Sequence, residues 1–437
     1  MKRIIGIFLN ACLVVNLHCV SYEQQIISNA SQYCKLPANL TQELYNLACP
    51  ADTSRTILPG TKKPELFTYF PNLAKSISYI SLGDFPTPVT KADNLAQVIG
   101  IKHLYIKRDD LSGKKIDDHT RLFGGNKVRK LEFLLADALS HNARTIITFG
   151  CAGSNHALAT STYASYLGLN SISLLRSQWN SHIVQRNLLL GLLNNTTFRL
   201  SPTAELHKIN FISELVKHKQ KYGDFPYVIP VGGSCPLGVI GFINAVFELK
   251  KQIEQGIMQT PDKIYVPVGS CGTFVGLLLG IKAAQLHTQL IGVTIEPEEH
   301  AHEFVDKILE LYQETNTLLY EHDTTFGLMP ITARDIYLTH DACGQDYALF
   351  TPEAVEAMKL MQKTEAITLD GVYTGKACAG MLKHLQTNPL LDNQIILFWH
   401  TFCSDKFENK FNYENYHKLP KAFQTYFQTA VQPLDTY

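Results

Sequence analysis

The chain has 437 residues, long enough for a large core and for two domains. Hydrophobic residues make up 45% and charged residues 18%, and 39 Lys+Arg balance 39 Asp+Glu. A net charge of zero leaves no electrostatic footprint for nucleic acid or for an anionic membrane surface, so a small molecule is the expected partner.

The start of the chain departs from this ordinary balance. Met1-Lys2-Arg3 is basic, residues 4–17 form an apolar run broken by Asn10 and Asn16, and Cys19-Val20-Ser21 supplies small residues of the kind a signal peptidase reads. Residues 1–21 therefore read as a signal peptide, too short to cross a membrane comfortably; an uncleaved buried helix is the rival. Cleavage would export the protein, to a periplasm or outside the cell, and leave no membrane span; without it the chain would be cytoplasmic. Residues 22–75 are polar and rich in Asn, Gln and Pro, and read as an appended segment in which Cys34 and Cys49 could pair after export. The later cysteines, Cys151, Cys235, Cys271, Cys343, Cys378 and Cys403, show neither CxxC nor Cys/His zinc spacing, so no metal site is expected and buried free thiols are.

From Tyr79 onward, strand-like runs alternate with helical stretches. Strands are predicted at 104–107, 145–149, 171–175, 227–231, 264–268, 290–295 and 394–399, several of them continuous Ile/Val/Phe runs, as in strands buried on both faces of a parallel sheet. Helices are predicted between them, for example at 130–139, 239–255 and 352–363. The alternation gives an α/β class with open parallel sheets. The tail, 404–437, is aromatic, and Phe407, Phe411, Tyr413 and Tyr416 suggest a packed closing helix.

Chemistry concentrates in the loops. Gly124-Gly125-Asn126-Lys127 places an amine on the first turn of an amphipathic helix, at a rigid corner suited to a Schiff base with a carbonyl cofactor; a cation-rich surface helix start is the rival. Gly150-Cys151-Ala152-Gly153-Ser154-Asn155-His156 follows a strand and opens a helix, a place for a substrate carboxylate or for an ordinary N-cap. Val268-Gly269-Ser270-Cys271-Gly272-Thr273 repeats that context as a phosphate cradle or a tight turn. Val231-Gly232-Gly233-Ser234 reads as a hinge or plain turn. Val372-Tyr373-Thr374 precedes a small-residue helix, and Phe398-Trp399-His400-Thr401 ends the last buried strand.

In order, Thr87-Pro88, Lys107-Arg108-Asp109-Asp110, Gly124-Gly125-Asn126-Lys127 with Arg129-Lys130-Leu131-Glu132, Ser154-Asn155-His156, Ile229-Pro230-Val231-Gly232-Gly233-Ser234, the 269–273 loop, Val372-Tyr373-Thr374-Gly375-Lys376 and His400-Thr401 resemble the 1-aminocyclopropane-1-carboxylate deaminase / D-cysteine desulfhydrase family. The resemblance covers about residues 79–404. It implies two open, mainly parallel-sheet domains with pyridoxal 5'-phosphate in the cleft between them (fold type II): a large domain of 76–130 and 233–437, a small domain of 131–232, and a homodimer. It implies that Lys127 carries the cofactor as an internal aldimine, with Asn126 beside it. Gly269, Ser270, Cys271, Gly272 and Thr273 would hold the phosphate, Asn155 would meet the ring oxygen and Thr401 the pyridine nitrogen. Ser154, Asn155, His156 and Thr374 would bind substrate, and Ser154, Tyr347 and Tyr373 would serve catalysis with Lys127.

Two positions choose within the family. Deaminases of the cyclopropane amino acid typically carry Glu and Leu where this chain has Thr374 and Thr401. A neutral hydroxyl near the pyridine nitrogen makes a weaker electron sink, adequate when a good β leaving group such as thiolate departs. D-cysteine converted to pyruvate, ammonia and sulfide is therefore the expected reaction. Deamination of 1-aminocyclopropane-1-carboxylate to 2-oxobutanoate and ammonia, another D-amino-acid lyase or racemase, and a cofactor-binding sensor or scaffold are the alternatives. The chain departs from the pattern at Cys271, Phe402 and Cys403, where glycines are usual, and at Cys235, Phe242 and Gly371.

Overall fold

The structure, a computed structural model, describes residues 62–117, 120–296, 299 and 301–436. Residues 1–21, read from the sequence as a signal peptide, and Cys34 and Cys49, read as able to pair, lie outside these residues. The strands are β1 (Val89–Lys91), β2 (His103–Arg108), β3 (Thr145–Cys151), β4 (Asn170–Arg176), β5 (Thr197–Leu200), β6 (Tyr227–Ile229), β7 (Lys263–Val268), β8 (Gln289–Thr294), β9 (Tyr337–Thr339) and β10 (Ile395–His400). The helices are α1 (Leu66–Tyr69), α2 (Asp93–Ile99), α3 (Lys127–Ser140), α4 (Asn155–Tyr166), α5 (His182–Leu193), α6 (Ala204–Tyr222), α7 (Pro236–Glu254), α8 (Gly272–Ala283), α9 (Ala301–His322), α10 (Pro352–Glu365), α11 (Thr374–Thr387) and α12 (Lys421–Gln428).

Two sheets form. One has six strands in the order β1-β2-β10-β7-β8-β9, parallel except for β1; the other has four parallel strands in the order β5-β4-β3-β6. The centre of the larger sheet explains the continuous apolar runs. β10 lies between β2 and β7, pairing Phe398 with Ile106 and Tyr265, and Leu397, Phe398 and Trp399 are fully buried. Residues of α7, α8 and α9 cover one face of this sheet, and residues of α2, α10 and α11 cover the other. No polar face remains, so strand residues of both parities are apolar.

β1, β5 and β9 went unpredicted. Each is an edge strand of three or four residues, too short for a periodic signal. The strand predicted to reach Val231 stops at Ile229, because Pro230 brings no N–H to a ladder and the chain turns through Gly232 and Gly233, both at positive φ.

Two parts of the sequence-based division shift. Residues 62–75 do not stand apart: Leu66 and Leu73 are fully buried in the core around α7 and α8, and Leu66 N–H donates to Asn244 Oδ1 at 3.0 Å. The tail, assigned to the large domain, packs partly on the smaller sheet instead. Its helix α12 buries Phe423 and Tyr426 against Leu175, Val184 and Phe198. Phe407, Phe411, Tyr413 and Tyr416 precede that helix rather than forming it, and the Phe407 ring lies tilted against Phe123, with the ring centres 5.7 Å apart. No described helix is long and apolar enough to cross a membrane.

Candidate active site

The ends of the parallel strands converge. A cavity of about 510 Å³ is lined by residues at or just beyond the C-terminal ends of β3, β4, β6, β7, β8 and β10, together with the first residues of α3 and the loop bearing Tyr347. Ligands in open α/β sheets bind at this edge.

Lys127 is the first residue of α3 and faces the cavity. Its position depends on Gly125, whose φ is +88° and where an added Cβ would lie 2.9 Å from Thr401 O. Asn126 N–H donates to Thr401 O at 3.0 Å, which fixes the lysine corner to the end of β10. Lys127 Nζ donates to Asn126 Oδ1 at 3.0 Å. Burial lowers its amine to about 8, with Asp370 pulling the other way, so roughly a tenth of it is neutral and nucleophilic at pH 7, far more than of an ordinary lysine. Asn126 Nδ2 in turn donates to Thr273 Oγ1 at 3.0 Å, leaving that hydroxyl its own hydrogen to give to a ligand.

The helix turn below is fastened by a buried ion cluster. Arg129 spans Asp109 (2.7 Å) and Glu248 (2.9 Å), Lys107 meets Glu248 at 2.6 Å, and Trp399 Nε1 donates to Asp109 at 2.8 Å. Every one of these groups is buried.

The 269–273 loop opens α8, whose first-turn N–H groups lack intrahelical partners. Gly269, Ser270, Cys271 and Thr273 line the cavity. Gly272, predicted as a phosphate ligand, does not: its N–H donates to Ser270 O and to Ser234 Oγ. It matters for closeness instead, since a Cβ there would lie 2.7 Å from Lys130 Nζ. Lys130, fully buried, donates to Gly232 O (3.0 Å) and Ser234 Oγ (3.1 Å), and burial holds its pKa well below the usual lysine value. The glycine loop read as a hinge is thus the wall behind the anion cradle. Cys271, where glycine is usual, keeps the left-handed backbone at φ +67°.

Ser154, Asn155 and His156 line the cavity from the start of α4. Ser154 is also the N-cap, its Oγ accepting from Ala157 N–H at 3.1 Å. The imidazole of His156 departs from its predicted role. Thr148 Oγ1 donates to Ile229 O at 3.0 Å, so at its 2.9 Å contact with His156 it accepts, and Nε2 carries the hydrogen. Burial holds the ring well below its ordinary pKa, and Nδ1, without a hydrogen-bond partner among the described residues, is left as an acceptor. A neutral ring of this tautomer does not hold a carboxylate; the first-turn N–H groups of α4 do so better.

Tyr347 and Tyr373 face the cavity with their hydroxyls 2.7 Å apart. Burial raises both above the ordinary phenol pKa, so both are neutral; one hydroxyl donates to the other, which leaves the pair one hydrogen for a ligand. Thr401 lines the cavity, and no carboxylate meets its hydroxyl among the described residues. Thr374, predicted to bind substrate, is fully buried outside the lining. Its N–H and hydroxyl donate to Asp370 Oδ1 at 2.9 and 2.7 Å, while Val372 and Tyr373 N–H donate to Oδ2. This short local clasp aims Tyr373 and puts Asp370 in the lining instead. Arg176, His207, Glu296 and Lys307 also line the cavity and were missed. Arg176 and Glu296 stand at or just past the ends of β4 and β8, so the rule that ligands bind at strand ends was the available signal.

The donor set fits a ligand that carries a carbonyl and a phosphate: a shielded amine at one end, and a helix N-terminus with a free hydroxyl at the other. With two open parallel sheets meeting across the cavity, this defines the class of pyridoxal-phosphate enzymes of fold type II. A family model described as pyridoxal-phosphate dependent enzyme matches residues 80–401. The chain is similar to D-cysteine desulfhydrase of Yersinia enterocolitica, 36% identical over 321 residues that span 72% of this chain and 90% of that protein. It is 34% identical to D-cysteine desulfhydrase of Salmonella typhimurium over 326 residues, 72% of this chain and 91% of that one. A crystal structure of a homologue of 1-aminocyclopropane-1-carboxylate deaminase superposes with a TM-score of 0.62 at 31% identity, covering 81% of this chain and 98% of that one. The chain belongs to this pyridoxal-phosphate-dependent enzyme family, in the branch of D-cysteine desulfhydrases and the cyclopropane-amino-acid deaminases.

Proposed function

We propose that the protein eliminates the β-substituent of a small amino acid, D-cysteine, to give pyruvate, ammonia and sulfide. The observation that carries this reading is the juxtaposition, in one cavity, of the Lys127 amine, the N-terminus of α8 and the neutral Thr401 hydroxyl. Bound pyridoxal phosphate supplies an electron sink for the charge left when the Cα proton departs. Lys127 would hold the cofactor through its amine, and the same amine, when free, would take the Cα proton; a pKa of about 8 suits both tasks. Ser154 is a weaker base, because no described neighbour withdraws its hydroxyl proton. Ser270, Cys271 and Thr273 hold the phosphate, with Lys130 behind them. The first turn of α4 holds the substrate carboxylate, and the hydrogen-bonded tyrosine pair offers its one remaining hydroxyl hydrogen to the departing thiolate.

Thr401 supports elimination of a good leaving group over opening of the cyclopropane ring, which favours a charged pyridine nitrogen. The basic, apolar start of the chain supports export, and the family resemblance supports a homodimer.

The test is turnover by the purified holoenzyme. D-cysteine should release sulfide and pyruvate in equal amounts, and Lys127→Ala should remove both the products and the cofactor's visible band. Release of 2-oxobutanoate from 1-aminocyclopropane-1-carboxylate, with no sulfide from D-cysteine, would overturn the substrate assignment.

A further inference from the structure

Behind Asn155 lies a relay that no sequence motif marked. Asn187, on α5, is 4% exposed. Its Nδ2 donates to Gly153 O at 2.8 Å and to Asn155 Oδ1 at 3.0 Å. Its Oδ1 accepts from Arg186 Nε at 3.1 Å and Nη2 at 3.0 Å. Arg186 is 9% exposed and makes no ion pair among the described residues. Its guanidinium lies 5.4 Å from the ring centre of Phe402 and 5.8 Å from that of Phe123.

These contacts allow one orientation of each amide. A guanidinium only donates and a backbone carbonyl only accepts, so Asn187 cannot be turned over without breaking bonds on both sides. Asn155 must then meet Asn187 with its oxygen. Its own Nδ2, in the cavity lining, has no protein partner among the described residues and is left as a donor.

We infer that Asn187, held by Arg186, is a positioning residue that fixes Asn155 as a hydrogen-bond donor toward the cavity, so that the site selects the anionic form of the cofactor's ring oxygen. The inference rests on the reading that Asn155 meets that oxygen. It also gives Phe402 a purpose where the family resemblance expects glycine: its ring lies near a buried cation that pairs with no carboxylate among the described residues.

The test compares the wild-type holoenzyme with Asn187→Asp and Asn187→Leu by absorption spectra across pH, by the dissociation constant for pyridoxal phosphate and by thermal unfolding. An aspartate still accepts from Arg186 but cannot donate to Asn155, whose amide then turns and presents oxygen to the cofactor. In N187D the visible band should give way to the shorter-wavelength band of the protonated ring oxygen at pH values where the wild type keeps it. The dissociation constant should rise roughly 10-fold or more in both variants, the range for residues that orient a ligand-binding group in metal sites. Variants that lose thermal stability but keep the wild-type band, its pH profile and its affinity would show a merely structural role and overturn the inference. A wild-type protein that forms no visible band with pyridoxal phosphate would overturn the cofactor site itself, and is told apart because the failure is seen without any substitution. If N187D does not fold, a wild-type band and affinity in N187L overturn the inference as well.

Discussion

Replacing Arg129 with Met should be among the most damaging single changes outside the cavity. The guanidinium is 1% exposed, and its nitrogens donate to Asp109, Glu248 and Thr87 at 2.7–3.1 Å. Methionine fills most of the volume but leaves two buried carboxylates facing one cation, Lys107. Breaking a buried pair by removing one partner costs about 3–5 kcal/mol, because the remaining charge is uncompensated. Urea unfolding followed by tryptophan fluorescence and circular dichroism should show a loss of that size. Asp109→Asn in the R129M background should be less harmful than in the wild type, with a coupling of about 1–3 kcal/mol, because it removes the charge that Arg129 had balanced. Acid should act through the same cluster. Burial pushes the Glu248 carboxyl up, but Arg129 and Lys107 more than offset it and hold it at about 2, below its ordinary 4.5. A group depressed in the folded state adds stability above its unfolded pKa and loses it as the pH falls toward the folded one, so wild-type stability should decline between pH 4.5 and 2. A loss under about 1 kcal/mol in R129M, or strict additivity with D109N, would refute the claim that this cluster anchors the helix bearing Lys127.

Two further predictions concern the site itself. With Lys127 at about 8, uptake of pyridoxal phosphate by the apoprotein should speed up about tenfold per pH unit below 8 and level off above it; a rate still climbing near pH 10 would mean an ordinary, solvated lysine. At position 271 the backbone is left-handed, which costs a side-chain-bearing residue about 1–2 kcal/mol, so Cys271→Gly should be more stable than Cys271→Ala by about 1 kcal/mol, reversing their usual order. Equal melting temperatures for the two variants would count against that conformation.

The α/β class, the principal parallel strands and the loops that line the cavity were legible in the chain alone. Strands buried on both faces must be apolar throughout, and loops where backbone approaches a ligand must be small, so both constraints leave a local trace. The corner of Gly124, Gly125, Asn126 and Lys127 is of this kind. Its glycines are required by a conformation and a contact that no other residue permits as easily. The tertiary structure decided the rest, because those outcomes depend on partners distant in the chain. The tautomer of His156 is set by Thr148, which is committed to Ile229. The orientation of Asn155 is set by Asn187 and Arg186, 32 residues from Asn155 at the first step. Thr374 matches its motif, yet it serves Asp370 rather than substrate because both its donors are already taken within the turn. The tail reaches across to the smaller sheet, where Phe423 and Tyr426 find apolar surface that its own sequence does not reveal. A motif can name the residues that come to a site, but the hydrogen bonds each can still offer there follow from neighbours that only the folded chain brings within reach.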